Sequence, residues 1–113
     1  MTTGPGFVLP EALQGPATRG ATILPYKGQW PRISPEAYIA NGCQVIGDVD
    51  IAEDVGVWFN CVIRGDEHAV RIGARTNIQD GTVIHVHSLK QGTMIGADVT
   101  VGHMALLLSL IHI

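Results

Sequence analysis

Aliphatic residues recur at every sixth position through the centre of the chain. The series resumes after three extra residues, and again after five more. Its twelve members are Ile33, Ile39, Val45, Ile51, Val57, Ile63, Ile72, Ile78, Ile84, Ile95, Val101 and Leu107. A period of six matches neither an α-helix, at about 3.6 residues per turn, nor an isolated strand, at about two. It predicts a strand and a turn, repeated with three faces to each coil of a solenoid.

A second regularity supports this prediction. Four places after each aliphatic position comes a small or β-branched residue: Ala37, Cys43, Val49, Val55, Cys61, Thr76, Thr82, Val99 and Ala105. The two hexads that carry the insertions break the rule, with Glu67 and Ser88 at that place. β-Branched residues favour strands, and the Gly, Asp and Asn near the turns favour corners. The hexapeptide repeat resembles that of left-handed parallel β-helix proteins, so we expect an all-β, single-stranded left-handed parallel β-helix of about four coils.

The repeat also predicts how the chain is divided. Residues 1–21 are rich in Gly and Pro and show no period, which predicts a flexible N-terminal arm. The β-helix domain is expected to span 22–108, and Tyr26 and Trp30 to cover its open end; an aromatic ligand site is the alternative. Residues 109–113 keep neither rule. We expect them to be a non-repeat tail, foreign to the parent protein, on a C-terminally truncated chain.

Composition narrows the class of protein. The chain has 113 residues, 46% of them hydrophobic and 15% charged, which suits one domain with a solenoid core. The net charge is −3 and the basic residues are scattered, so neither nucleic acid nor an anionic membrane is expected as a partner. The sequence shows no signal-peptide pattern or membrane-spanning run, which favours a cytoplasmic location.

The two cysteines, Cys43 and Cys61, lie 18 residues apart, which is one whole coil. We expect them to stack at equivalent inward positions as buried free thiols. A disulfide is the alternative, but parallel Cβ vectors suit its geometry poorly.

A series of polar motifs lies in the second half of the repeat. R-G-D ends at Asp66, N-x-Q-D-G-x-x-x-H runs from Asn77 to His85, and V-T-V-G-H ends at His103. The ordered series, over about residues 22–107, resembles the γ-class carbonic anhydrase family. The resemblance implies a homotrimer with zinc at each subunit interface and hydration of carbon dioxide to bicarbonate by zinc hydroxide. Iron or cobalt would suit the same imidazole ligands.

The resemblance assigns His85 and His103 as metal ligands, and the repeat predicts where they lie. Arg64 and His85 hold the same place one coil apart, so their side chains should stack on one face. His103 shares a different face with Gln79, about two-thirds of a turn away. Two neighbouring chains, in a closed ring of three, would therefore bring both histidines to one metal. The family's third ligand would stand one coil above His85, where this chain has Leu108.

The remaining site residues each have a structural and a functional interpretation. Arg64 and Asp66 are expected to form either a simple ion pair or, as the resemblance implies, a pair across the subunit interface. Gln79 is either a corner residue or a hydrogen-bonding group near the zinc-bound water. Asn77 is a turn-former, like Asp80, or part of the site. Glu67 is the candidate for relaying protons.

Two further histidines, His68 and His87, are interpreted as loop residues, with His87 as a possible substitute ligand. The insertion after His85, residues 86–93, contains no carboxylate, unlike the long acidic loop that some family members use for proton export.

Two other functions fit the repeat. A hexapeptide-repeat acyltransferase would use His85 or His87 as a general base, with coenzyme A between the prisms. A non-catalytic trimeric scaffold would retain only a vestigial metal site.

Overall fold

The structure, a computed structural model, describes residues 10, 13–15, 18, 20–85 and 92–107. In these residues it has eleven strands, and every pairing between them is parallel. They are β1 (Thr22–Leu24), β2 (Arg32–Ile33), β3 (Tyr38–Ile39), β4 (Gln44–Ile51), β5 (Gly56–Val57), β6 (Val62–Ile72), β7 (Asn77–Ile78), β8 (Val83–His85), β9 (Thr93–Ile95), β10 (Thr100–Val101) and β11 (Leu106–Leu107).

The strands wind into a coil with three faces. Face 1 contains β1, β8, β11 and the first halves of β4 and β6, and face 2 contains β2, β9 and the second halves. Face 3 consists of β3, β5, β7 and β10. Because β4 and β6 bend from face 1 into face 2 without a break, these two faces form one seven-stranded sheet. The predicted all-β parallel solenoid of about four coils is confirmed.

The register between coils follows the predicted hexads. Gln44 pairs with Val62, which is three hexads further along the chain. Val62 pairs with Val83, and Val83 with Leu106, so the next two coils are longer by the two insertions. Strand boundaries therefore agree with the interrupted period of six.

The first insertion forms a bulge on β6. Gly47 pairs with Gly65, but the next registered pair is Val49 with Val70, so the residues after Gly65 are looped out. The small inward place of this hexad is therefore filled by Val70, which is fully buried, and not by Glu67, which is exposed.

The interior of the solenoid is lined by the predicted aliphatic positions together with the small or β-branched places. Ten of the twelve aliphatic positions are buried, and Ile33 and Leu107 pack half-buried against them. Both cysteines are buried and free, as predicted. The buried Thr76 and Thr82 donate hydrogen bonds of 2.7 and 2.8 Å to backbone carbonyls, which satisfies these two hydroxyls inside the core.

Part of the predicted N-terminal arm contacts the solenoid. Leu13, Thr18 and Ala21 are buried, and the Thr18 hydroxyl donates to the Leu13 carbonyl at 2.7 Å. Ile23 is also fully buried, so a further face of the coil precedes Ile33. The rest of the arm and the tail of 109–113 lie outside the described residues, and the domain boundaries stay predictions.

Four charged side chains form one network on the outer surface of face 2. Arg32 contacts Asp48 at 2.5 Å and also Asp50; Arg71 lies 3.0 Å from Asp48 and 2.8 Å from Asp50. Burial would raise the pKa of Asp48, but hydrogen bonds from Arg32 and Arg71 outweigh it and hold that pKa below its usual value. The network ties β2 to the two coils that follow.

Among the described residues, no helix is long and apolar enough to cross a membrane.

Candidate metal centre

The first part of the candidate site lies on the outer surface of face 1. Leu24, Ile46, Arg64 and His85 form one outward row through four successive strands. The predicted stacking of Arg64 under His85 is therefore confirmed. The parallel register alone brings together residues that are 21 positions apart in the sequence.

The bulge on β6 places a carboxylate beside this row. Asp66 Oδ2 accepts hydrogen bonds from Arg64 Nη2 at 2.6 Å and Arg64 Nε at 3.1 Å. Asp66 Oδ1 lies 3.4 Å from His85 Nε2, and both atoms are closed off from solvent. Burial would raise the pKa of Asp66, but the hydrogen bond and charge of Arg64, with the charge of His85, hold it below its usual value. In one chain, Arg64 and Asp66 thus pair with each other. We call Arg64, Asp66 and His85 half-site A.

A second group of polar residues lies at the end of face 3. Asn77 is in β7 and Gln79 directly follows it, while His103 follows β10, the strand that pairs with β7. Asn77 is a strand residue here and not a turn residue, whereas Asp80 is in a turn. His103 is exposed, and Asn77 and Gln79 are half-buried. We call Asn77, Gln79 and His103 half-site B.

The two half-sites of one chain lie apart. Leu106 pairs with Val83, and both lie at the start of a face 1 strand. His103 therefore comes before the chain enters face 1, whereas His85 is the last strand residue on that face. At about 3.3 Å per strand residue, this places the histidines on the order of 10 Å or more from each other. Within the described ranges, His, Cys, Asp and Glu side chains do not gather in threes as a metal site requires. One chain alone therefore does not bring half-sites A and B to a common point.

Other predicted residues lie around half-site A. Glu67 is exposed on the bulge and His68 is half-buried beside it. His87 and Leu108 lie outside the described residues.

Large apolar side chains are exposed near the edge between faces 3 and 1. Phe59 is 42%, Leu106 59% and Met104 79% exposed. Exposed apolar surface of this kind is typical of a protein–protein interface.

Trp58 also belongs to this region, although the sequence motifs did not indicate it. Its indole Nε1 donates a hydrogen bond to Asn77 Oδ1 at 3.3 Å. The step of one coil could have indicated this residue. Trp58 directly follows β5, and Gln79 directly follows β7, the strand that pairs with β5.

The chain resembles several known proteins. It is 49% identical over 91 residues to protein YrdA of Escherichia coli, a match that covers 75% of this chain and 50% of YrdA. It is 38% identical over 95 residues to mitochondrial gamma carbonic anhydrase 1 of Arabidopsis thaliana, covering 80% and 34% of the two chains. A crystal structure of a putative acetyltransferase from Bacillus cereus superposes with a TM-score of 0.77 at 42% identity, covering 80% and 52%.

No family model matches the chain. The chain spans between about a third and about half the length of these relatives.

Proposed function

This chain belongs to the γ-carbonic-anhydrase-like family of hexapeptide-repeat proteins, and on that premise we propose that it hydrates carbon dioxide to bicarbonate. The active form is a homotrimer, and a metal ion, zinc by preference, is held between half-site A of one subunit and half-site B of the next. The proposed location is the cytoplasm.

The observation that carries this proposal is the division of the polar residues between two faces of one chain. Half-site A has an imidazole with a carboxylate beside it, and half-site B has an exposed imidazole with two carboxamides beside it. Among the residues that the structure describes, neither half-site gathers three His, Cys, Asp or Glu side chains. The exposed apolar residues at the edge between these faces are consistent with subunit contact there.

The donor set suits zinc, since imidazole nitrogens are among its usual protein ligands. His85 and His103 of adjacent subunits would hold the ion. The third ligand of the family is not supplied at position 108, because that residue is Leu. A zinc ion held by His85 and His103 of adjacent subunits would supply Lewis acidity, which lowers the pKa of water toward about 7.

The protein's own residues have distinct tasks around this centre. Asp66 fixes the ring orientation of His85, and Arg64 keeps Asp66 ionised. The carboxamides of Asn77 and Gln79 offer hydrogen bonds to the oxygens of carbon dioxide and bicarbonate. Glu67, exposed on the bulge, passes the released proton to solvent.

A subunit-mixing experiment tests the shared site. His85→Ala and His103→Ala chains are each expected to lose bound zinc, since each lacks one imidazole. A trimer mixed from both variants retains one intact interface, so refolding them together should restore about a third of the wild-type zinc per mixed trimer. Elemental analysis after size exclusion measures this content. If mixing restores no zinc, the two histidines do not meet across an interface.

Acyl transfer is the second candidate, and one observation favours it. His85 lies 3.4 Å from the carboxylate of Asp66, and such an arrangement orients a histidine that acts as a general base. The protein from Bacillus cereus is also described as a putative acetyltransferase.

Parallel assays of the purified protein distinguish the candidates. Zinc-dependent hydration of carbon dioxide supports the first, and zinc-independent transfer from acetyl-coenzyme A supports the second. A stable trimer with neither activity would identify a scaffold.

A further inference from the structure

Trp58 reaches from its own coil to a residue of half-site B. Its backbone N–H donates to the Ile78 carbonyl at 2.9 Å, and its indole Nε1 donates to Asn77 Oδ1 at 3.3 Å. Both side chains are half-buried. The two residues are 19 positions apart in the sequence but adjacent on face 3, so this contact links two coils.

Gly56 provides the space for this contact. It pairs in register with Tyr38 below and Asn77 above. A Cβ atom at Gly56 would lie 3.0 Å from Trp58 Nε1 and 3.1 Å from Asn77 Oδ1. Any other residue at this position would therefore push into the hydrogen bond itself.

Two aromatic rings flank the indole. The Tyr38 ring centroid lies 5.4 Å from that of Trp58, and the Phe59 centroid lies 6.3 Å away. These separations are within the range of favourable aromatic contacts, so packing as well as hydrogen bonding fixes the ring.

The indole N–H is a donor only, so the atom of Asn77 that faces it must be the carbonyl oxygen. The amino group of the same carboxamide, with two donors, is then the end that remains for another partner. We propose that Trp58 is a positioning residue that fixes Asn77 in this orientation, so that Asn77 binds an oxygen of a small oxyanion such as bicarbonate. This inference rests on the proposed function, and it adds Trp58 and Gly56 to the residues that determine what the site binds.

The experiment is a bicarbonate titration followed by nuclear magnetic resonance on the full chain, metal-free and zinc-loaded. Three resonances are recorded: the indole N–H of Trp58 and the two side-chain N–H signals of Asn77. Trp58→Phe removes the donor and keeps an aromatic ring, and Gly56→Ala displaces the contact without deleting either residue. Trp30→Phe is the matched control, because Trp30 packs against the core beside Arg32 and Ile33 of face 2.

We expect the Asn77 signals to move on bicarbonate addition in the wild type. In Trp58→Phe and Gly56→Ala, the chemical shifts of the Asn77 signals should already differ from the wild type before bicarbonate is added. The dissociation constant for bicarbonate should rise about 2- to 10-fold, which corresponds to the loss of one hydrogen bond. Trp30→Phe should leave both quantities unchanged. A purely structural role of Trp58 would change stability without changing the Asn77 signals.

Asn77→Leu tests the contact directly. It should shift the Trp58 indole resonance in the metal-free protein, and an unshifted resonance overturns the proposal. Unaltered bicarbonate affinity in Trp58→Phe overturns it as well. Failure of the proposed function gives a different result. In that case the wild type binds no zinc, although the Trp58 indole and Asn77 resonances respond to bicarbonate as expected.

Discussion

Arg64 and His85 are register partners on adjacent strands of face 1, so a permanent cation lies beside the imidazole that we assign to the metal. Asp66 compensates this charge, since its two oxygens face Arg64 and His85 respectively. Without the carboxylate, the guanidinium would repel a divalent cation at His85. Half-site A therefore depends on a residue that is not itself a proposed ligand.

The first prediction removes this compensation. Asp66→Asn keeps the shape of the side chain but leaves the Arg64 charge uncompensated. We expect the zinc affinity of the trimer to fall about 10- to 100-fold, the usual effect of losing a group that supports a ligand. Competition with a chromophoric chelator measures it. Asp50→Asn on face 2 is the control, and an equal loss of affinity in that variant would show that the effect is not local.

The second prediction concerns the corner between faces 1 and 2. Gly47 has φ +76°, and a Cβ atom there would lie 2.5 Å from the Gly65 carbonyl oxygen. Gly47→Ala should therefore lower the free energy of unfolding by about 3 kcal/mol or more, from left-handed strain and the steric clash together. Urea unfolding measures the difference.

Gly28→Ala is the matched control for this variant. Gly28 has nearly the same φ, +78°, but no atom lies within 4 Å of the added Cβ. Its cost should be the conformational strain alone, about 1 to 2 kcal/mol. Equal costs in the two variants would mean that the close approach of Gly47 to Gly65 is unimportant.

Features that repeat with the period of the coil could be predicted from the sequence, and the others could not. Every aliphatic step from Ile33 to Leu107 was found because burial demands an apolar side chain at each. Ile23 was missed because residues 25–31, which include the bridge between Tyr26 and Gln29, interrupt the period before the first hexad. At the first insertion, the sequence alone does not show which residues loop out, so Val70 was not assigned inward.

Outward residues were harder to predict, because solvent accepts almost any polar side chain. Arg32, Asp50 and Arg71 do stand one coil apart, and that step would have revealed their network. The coil step also places Trp58 next to half-site B, but it does not indicate the contact between Trp58 and Asn77. That contact depends on the tilt of one ring over Gly56, which only the folded backbone shows. The proposed union of half-sites A and B likewise involves neighbouring chains, which the sequence of one chain does not describe.

The third prediction concerns acid stability. Asp48 has a pKa below its usual value of 3.8 in the folded chain, since Arg32 and Arg71 outweigh its burial. A depressed carboxyl pKa contributes stability that is present above the unfolded value and is lost as the pH falls through the folded value. Asp48→Asn should therefore cost about 1 to 2 kcal/mol at pH 7, for two partly exposed ion pairs, and progressively less below pH of about 4.

Urea unfolding curves, recorded about every pH unit between pH 2 and pH 7, check how this stability depends on pH. Asp98→Asn is the control, because its ion pair with Arg75 is the more exposed one and solvent screens it. A cost of Asp48→Asn that is the same at every pH would show that the carboxylate charge is not what stabilises the fold there.

The fourth prediction restores the family's third ligand. The coil step predicts position 108 as the next member of the outward row of Arg64 and His85, and the family resemblance implies a histidine ligand at that position. Leu108→His should increase the affinity for zinc by more than about 100-fold. Loss of a group that only supports a ligand already lowers metal affinity by up to about 100-fold, and a direct ligand contributes more. Chelator competition measures the affinity, and Leu106→His, in the neighbouring outward row, is the control. The gain should disappear when Leu108→His is combined with His103→Ala, since the added imidazole serves the shared centre. A gain that survives this combination would mean that the new histidine binds zinc elsewhere, and that position 108 does not belong to the site.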